Sequence, residues 1–278
     1  MSVLIKNPTL FKGELMFQLE QIESNYWSKY YRADSMLPTF STIIGGGVAC
    51  AIPDFDILAM NRVLGLGLNS ALDKSVLQQI IEFYRIAGSK RFFVQLPPAI
   101  ALDSTRRLLD GEGFTHHNNW TKLYRKVQPL ETSINEELSI REIDKREADN
   151  YGQLIFMSFD WEDSRLAPLL ASTVGQVGYK HYIVSRQGKD IAAGALYVEG
   201  NMASMAFAGT LAPFRGKGAQ RLLLKTRMEK AYKLGARFIT SETAQHTNEN
   251  TVVSYLNMKK VGFEVAYQRQ NWLYDFTR

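Results

Sequence analysis

The sequence predicts an α/β protein of the α+β type, built from two domains that each hold a central mixed, mostly antiparallel sheet flanked by helices. Its 278 residues exceed the common size of one domain. Amphipathic helical segments alternate with short apolar segments throughout. The order helix, strand, helix, Gly-Phe, strand occurs twice, over 71–127 and over 219–276. We therefore expect domains at 1–128 and 138–278, joined by a polar linker at 129–137.

Composition points to a soluble globular protein. Hydrophobic residues make up 45% and charged residues 22% of the chain. No apolar run approaches the length needed to cross a bilayer, and Lys6, Lys12 and Glu14 interrupt the N-terminal segment, which lacks a signal-peptide core. These features predict a cytoplasmic protein without a membrane partner.

Cysteine, histidine and net charge exclude several kinds of site. The single cysteine, Cys50, rules out an internal disulfide and a cysteine-rich metal site. His116 and His117 have no partner ligands at metal spacing, so no metal is expected. The net charge of +5 would suit nucleic acid, but only the segment 215–233 is densely basic. A small polyanion explains that one cluster better, and nucleic acid is an unlikely partner.

The first half begins with a helix over 11–32 and a strand over 42–52. That strand carries Gly45-Gly46-Gly47, which have no basic neighbours and no following helix, so close packing or a bulge explains them better than phosphate binding. The later elements predicted here are a helix over 71–87, a strand over 91–96, a helix over 101–110 and a strand from 114 to 127.

The second half has a longer series of elements. The periodicity predicts a strand over 138–143, an amphipathic helix over 145–159, a hairpin of 179–186 with 191–198, a strand over 202–211, a helix over 219–234, a strand over 236–242, a helix over 248–261 and a last strand opened by Gly262 and Phe263.

The turn between strand 202–211 and the helix from Ala219 has the features of an anion site. Gly216 and Gly218 permit backbone angles and close approach that side chains would forbid, so successive amides can face one concavity. The helix N-terminus adds its dipole, and Arg215, Lys217 and Arg221 add full charges. A phosphate or pyrophosphate fits this loop, although an ordinary tight turn with solvated basic residues is an open alternative.

The pattern Arg215-x-x-Gly218-x-Gln220 resembles the pyrophosphate-binding loop of the GNAT superfamily, the acyl-CoA-dependent N-acyltransferases, whose usual form is Arg or Gln-x-x-Gly-x-Gly or Ala. The last position departs, because Gln220 replaces a small residue. The likeness covers roughly 138–278, and the first half resembles a degenerate second copy without the loop. The resemblance therefore implies a tandem GNAT arrangement with one acyl-CoA site.

The resemblance also implies where acetyl-CoA would bind. In the family, the strand before the loop splays from its neighbour and holds the pantetheine arm and thioester. The residues that it assigns to the cofactor are Gly209, Thr210, Leu211, Arg215, Gly216, Lys217, Gly218, Ala219, Gln220, Arg221, Asn250 and Asn257. For Asn250 a helix cap is the stronger interpretation. Lys225 and Arg227 are interpreted as solvated charges.

Catalytic groups are less sharply indicated. Many family members carry a tyrosine four residues before the Gly of Gly-Phe, and Met258 stands there in this chain. Tyr255, one turn earlier, is the candidate acid for the thiolate, with core packing as its alternative. Glu242 is the candidate base for the amine, acting directly or through water, with an exposed strand-end carboxylate as its alternative.

The resemblance places the segment of Asp160, Trp161 and Glu162 over the acceptor pocket of this fold. These residues therefore indicate a small cationic amine as acceptor. The alternative is that the acidic side chains only cap a helix or are solvated. The leading hypothesis is an N-acetyltransferase that moves acetyl from acetyl-CoA directly to a primary amine. The alternatives are a catalytically silent acyl-CoA sensor or scaffold, and transfer to an amine on nucleic acid or protein. The sequence leaves a homodimer open.

Overall fold

The computed structural model describes residues 8–33, 37–129 and 137–278. Contacts between Cα atoms divide the chain into two compact units. The first takes the described residues of Met1–Ser28, Phe40–Asn119 and Gln268–Arg278, and the second those of Lys29–Thr39 and Trp120–Tyr267. The two units are therefore not two continuous stretches of chain. The linker predicted at 129–137 stays a prediction, and 130–136 lie outside the described residues.

Helices and strands alternate along the described chain. The elements up to residue 126 are α1 (Pro8–Tyr30), β1 (Phe40–Ile44), β2 (Gly47–Ala51), β3 (Arg62–Leu64), α2 (Lys74–Ala87), β4 (Arg91–Leu96), α3 (Asp103–Gly111) and β5 (Thr115–Lys126). The later elements are β6 (Leu138–Ile143), α4 (Ala148–Ser158), α5 (Leu166–Ala171), β7 (Tyr179–Arg186), β8 (Lys189–Glu199), β9 (Met202–Thr210), α6 (Ala219–Lys233), β10 (Phe238–Ala244), α7 (Val253–Lys260) and β11 (Glu264–Asp275).

In the first unit the strand order is β1-β2-β3-β4-β11. Among the described strand pairs of this unit only β3–β4 is parallel, and β11 runs antiparallel to β4 from Gln270 opposite Leu96 to Asp275 opposite Arg91. The amphipathic helix α2 buries Leu77, Ile80 and Tyr84 against this sheet, which gives the unit its own apolar core.

One predicted strand is wrong. The segment 42–52 forms a hairpin of β1 and β2 instead, turning at Gly45 and Gly46 with φ of 54° and 75°. A Cβ on Gly45 would meet Cγ1 of Val76 at 2.4 Å, so the turn packs directly on α2. A two-residue turn leaves the alternation of side chains unchanged on its two sides. The sequence pattern of such a hairpin therefore looks like that of one long strand.

In the second unit the strand order is β5-β10-β9-β8-β7-β6, and β9–β10 is the only parallel pair among its described strands. Side chains on one face, such as Leu196 and Met205, pack with Leu224 and Met228 of α6. On the other face the His181 ring of β7 meets Tyr151 of α4 edge-on at 4.7 Å. The predicted α/β class with mostly antiparallel sheets and flanking helices is confirmed.

Strands β9 and β10 separate soon after they meet. Their pairing covers only Met202–Ser204 with Phe238–Thr240. Beyond it, β9 stays paired with β8 to Thr210, while β10 stays paired with β5 to Ala244. The second unit thus contains a wedge between two parallel strands, and α6 begins just beyond the end of β9.

A bulge deforms β9 beside this wedge. Ala193 pairs with Gly209 and Ala195 with Ala206, so Gly194 of β8 faces two β9 residues, Phe207 and Ala208. Phe207 has φ of 41°, a conformation that bulky residues rarely adopt.

Two further details differ from expectation. Helix α7 begins at Val253 rather than 248. Leu234, the last residue of the helix predicted over 219–234, lies beyond the end of α6 and is 44% exposed. No helix in the described part of the chain is both long enough and apolar enough to cross a membrane.

Candidate active site

A cleft of about 830 Å³ opens in the second unit where the end of β9, the start of α6 and one face of α7 meet. Nine of the residues predicted to bind the cofactor line it: Gly209, Thr210, Arg215, Gly216, Gly218, Ala219, Gln220, Arg221 and Asn257. Seven lining residues were missed: Ser158, Phe159, Ala208, Phe214, Val253, Ser254 and Lys260.

The start of α6 is built to leave amides free. Gly218 occupies the N-cap with φ of 91°, and no side chain caps it. Gly216, at φ of 78°, makes the turn before it, with open space where its Cβ would be. The first-turn N–H groups and the positive helix end therefore face the cleft without a competing carboxylate.

Helix α2 of the first unit is capped differently. Asp73 is its N-cap residue, and its carboxylate accepts a hydrogen bond from the Val76 N–H at 2.9 Å. A negative side chain there satisfies the amide and the dipole that an anion would otherwise use.

Arg215 joins two walls of the cleft. Its Nε donates to the Thr210 carbonyl at 3.2 Å, and its Nη2 donates to the Ser158 carbonyl at 3.0 Å. The guanidinium thus ties the end of β9 to the end of α4 and places a positive charge at the cleft.

Gly209 lies against the end of α4. A Cβ at this position would stand 2.3 Å from Cβ and 2.9 Å from Oγ of Ser158, which itself donates to the Leu154 carbonyl. Only glycine lets β9 approach α4 this closely.

Gln220, the position that departs from the family pattern, is held by α7. The amide of Asn257 donates to its Oε1 at 2.5 Å. The Gln220 side chain is therefore engaged with α7.

The charged side chains lining the cleft are Arg215, Arg221 and Lys260, and the lining holds no Asp or Glu. Lys217 lies nearby, with its Nζ 5.3 Å from the centroid of the Phe214 ring. Such a cleft suits a polyanion. No group of three or more His, Cys, Asp or Glu residues in the described chain could hold a metal ion.

Besides Lys217, four of the predicted cofactor-binding and catalytic residues lie outside the lining. The Tyr255 ring stacks on His246 at 4.9 Å and packs against the core, and Glu242 lies opposite Lys122, a buried residue, in the β10–β5 register. Leu211 donates its N–H to the Ile191 carbonyl. The amide of Asn250 donates to the Gln245 carbonyl, and Val252 is the N-cap of α7, so the cap expected at Asn250 is wrong.

The acidic segment after α4 contributes an aromatic wall. Phe159 lines the cleft and stacks on Trp161 with 4.8 Å between ring centroids. Asp160, between them, adopts a φ of 56°, and both it and Glu162 are exposed. Asp163, by contrast, is engaged with Arg165, whose guanidinium and backbone N–H both lower the pKa of that carboxyl.

Arg227 corrects another expectation. It is 1% exposed rather than solvated, and it donates from Nε to the Leu223 carbonyl at 3.1 Å and from Nη1 to the Ala195 carbonyl at 2.9 Å. An arginine in a basic helix looks like a surface residue, and only its phase with Leu223, Leu224 and Met228 could have revealed it. Lys260 could have been found as well, because it follows Asn257 by three positions on α7.

No protein-family model matches this sequence, and no curated protein matches it. Solved structures match over most of the chain. A GCN5-related N-acetyltransferase from Kribbella flavida superposes with a TM-score of 0.64 at 13% identity, covering 93% of this chain and 95% of that one. Another from Sphaerobacter thermophilus gives 0.60 at 13% identity over 82% and 80%.

A tandem GNAT protein from the clavulanic acid biosynthesis pathway gives a TM-score of 0.60 at 11% identity, covering 95% of this chain and 94% of that protein. At such identities the likeness shows the fold and leaves substrates open. The splayed β9–β10 pair and the glycine-started helix α6 belong to that fold. The chain thus has the GNAT fold in the tandem arrangement that its sequence predicts.

Proposed function

We propose that the protein is an acyl-CoA-dependent N-acetyltransferase that transfers acetyl from acetyl-CoA directly to a primary amine of a small cationic acceptor. One observation carries the proposal: an uncapped, glycine-started helix faces a carboxylate-free basic cleft beside two splayed strands. A phosphorylated ligand with a narrow polar arm fits both parts of that arrangement.

The described residues fit coenzyme A. The amides of the first turn of α6, with Arg221 and Lys260, would hold its phosphates. Beyond Ser204, β9 leaves the β10 ladder, and Ala208 and Gly209 near its end line the cleft, where the backbone can pair with the amides of the pantetheine arm. Donors on that strand would also face the thioester oxygen.

The reaction requires proton transfer at two atoms. The amine nitrogen bonds to the acetyl carbon while the carbon–sulfur bond breaks; the amine gives up a proton to a base, and the departing thiolate takes one up. Glu242 is the proposed base. Tyr255 is the sequence-based acid, and Ser254, which lines the cleft on the same helix, is the candidate that the geometry adds.

The segment after α4 supports the proposal that the acceptor is a cationic amine. The exposed carboxylates of Asp160 and Glu162 attract a cation, and the Phe159–Trp161 stack offers aromatic surface for its apolar part. Asp160→Asn and Glu162→Gln together should raise KM for cationic amines several-fold, while KM for a neutral amine of similar size stays unchanged.

Calorimetry tests the donor half of the proposal. CoA and acetyl-CoA should bind the wild type, and Gly218→Asp, which puts a carboxylate at the start of α6, should weaken binding by at least about tenfold. Lys233→Met, on the exposed end of the same helix and paired with Glu229, is the control that should bind normally. Absence of CoA binding by the wild type would refute the proposal.

Thiol release in a panel of amines tests the transfer. Ser254→Ala and Tyr255→Phe, assayed side by side, assign the acid that protonates the thiolate. Only the variant that lacks this acid should have a lower kcat while its affinity for CoA stays unchanged.

A catalytically silent acyl-CoA sensor is the second candidate. Met258 in place of the usual tyrosine and the position of Tyr255 outside the cleft lining favour it. Tight acyl-CoA binding together with silence toward every amine in the panel would select this function.

A further inference from the structure

The guanidinium of Arg227 lies behind the floor of the cleft, by which we mean the part that Ala208 and Gly209 line. A Cβ on Gly194 would meet Cζ and Nη1 of Arg227 at 3.3 Å, and Cβ of Ala208 at the same distance. Ala208 and its neighbour Gly209 line the cleft. Gly194 therefore makes the space that brings the guanidinium of α6 against the β9 bulge.

Arg227 also forms two hydrogen bonds beside the bulge. Its Nη1 donates to the carbonyl of Ala195, the residue that pairs with Ala206 just before the bulge, and its Nε donates back to its own helix. The planar fork thus fixes α6 to β8 at the point where β9 carries its extra residue. Phe207, held at φ of 41° in that bulge, also accepts a hydrogen bond from the Tyr151 hydroxyl through its carbonyl.

The charge of Arg227 lowers the pKa of tyrosines on both faces of the sheet. Burial raises the pKa of the Tyr151 hydroxyl on α4, and Arg227 opposes that rise. Burial likewise raises the pKa of Tyr182 on β7, where Glu142 and Glu229 add to the rise and Arg227 again opposes it. Tyr151 on α4 and Tyr182 on β7 are thus two titratable groups whose pKa the guanidinium lowers.

A buried arginine is costly to desolvate, whereas an apolar side chain would fill the same position in the core at no such cost. The placement behind Ala208 gives this charge a specific target, because the floor of the cleft is where acyl transfer creates negative charge.

We propose that Arg227 is a positioning residue for acyl transfer, which holds the Phe207–Ala208 bulge in shape and directs a buried positive charge at the cleft floor. The charge favours the developing negative charge on the thioester oxygen and on the departing sulfur. This inference rests on the proposed acetyltransferase function and adds a residue to its site.

The test is the ionisation of the thiol of bound CoA, followed by the ultraviolet absorbance of the thiolate across a pH series. In the wild type the pKa of the bound thiol should lie about one unit below that of free CoA. Arg227→Met should abolish most of this shift, and Arg227→Lys should keep part of it. Lys233→Met removes the same charge from an exposed site on the same helix and should leave the shift intact.

The outcomes separate the two ideas. If CoA binds but its thiol ionises as it does free in solution, or equally in wild type and Arg227→Met, the inference is overturned while the acetyltransferase proposal stands. If CoA does not bind the wild type, both are overturned. Should Arg227→Met fail to fold, two other comparisons of the bound thiol pKa still decide. The first compares the wild type with free CoA, and the second compares Arg227→Lys with Lys233→Met. If the arginine is purely structural, neither comparison should show a difference in the thiol pKa.

Discussion

Asn257 donates a hydrogen bond from Nδ2 to Oε1 of Gln220 at 2.5 Å, joining α7 to the first turn of α6. Gln220 stands where the family pattern has glycine or alanine, and a long side chain there could crowd a pyrophosphate. The bond to Asn257 gives that side chain a partner on α7 and keeps the loop open.

We expect Gln220→Ala to retain CoA affinity within about threefold while the free energy of unfolding falls by about 1 kcal/mol for the lost hydrogen bond. Asn257→Ala should lower stability by a similar amount. Calorimetry and urea unfolding measure the two quantities. A tenfold loss of CoA affinity in Gln220→Ala would instead make its side chain a phosphate ligand.

Gly209→Ala should destabilise the second unit by about 2 kcal/mol, because the new methyl overlaps Ser158. It should also weaken CoA binding, since the end of α4 must shift away from the cleft. Ser158→Gly in the same chain should restore part of both. Gly111→Ala is the matched control, with nothing within 4 Å of the new Cβ; equal losses in both variants would contradict the steric argument.

Calorimetry should give one CoA per chain. Helix α2 of the first unit begins at Asp73, whose carboxylate occupies the Val76 N–H and repels anions, whereas α6 begins at Gly218. Gly218→Asp should therefore weaken the single site by at least about tenfold and leave no site of wild-type affinity. A stoichiometric site of wild-type affinity in that variant would reveal an anion site that the first unit supplies.

Acid should weaken the second unit through His181. Burial lowers the pKa of this histidine to about 3, with the Lys180 charge adding to the effect. The unfolded chain, with a histidine pKa of about 6.5, binds the proton more readily, so this contribution to stability is full above about pH 6.5 and is lost progressively as the pH falls toward 3.

Between about pH 7 and about pH 5 the loss should reach roughly 2 kcal/mol. Urea unfolding across this range should show the slope in the wild type and a flatter profile in His181→Gln, which keeps a polar partner for Thr173. His116→Gln, at an exposed histidine of the first unit, is the control. Parallel profiles in wild type and His181→Gln would disprove the assignment.

The fold and the glycine-rich turn before α6 could be predicted from the sequence because both rest on local signals. Periodicity locates strands such as 91–96, and glycine between basic residues locates the start of α6. The helical phase of Arg227 indicates its burial, but its position beside the β8–β9 bulge could not be predicted, since it depends on Gly194, which is 33 positions away in the sequence. Ser158 and Phe159 were missed for the same reason: their contacts with Gly209 and the cleft join elements that are distant in the chain.

The last strand has a consequence for how the protein is made. Residues Gln268–Arg278 belong to the first unit, where β11 pairs with β4, whereas the second unit includes no residue beyond Tyr267. Translation proceeds from the N-terminus, and the earlier domain usually folds first. In this chain the first unit cannot be completed until residues 268–278 have been synthesised, so the second unit, which holds the cleft, can fold ahead of the unit that precedes it.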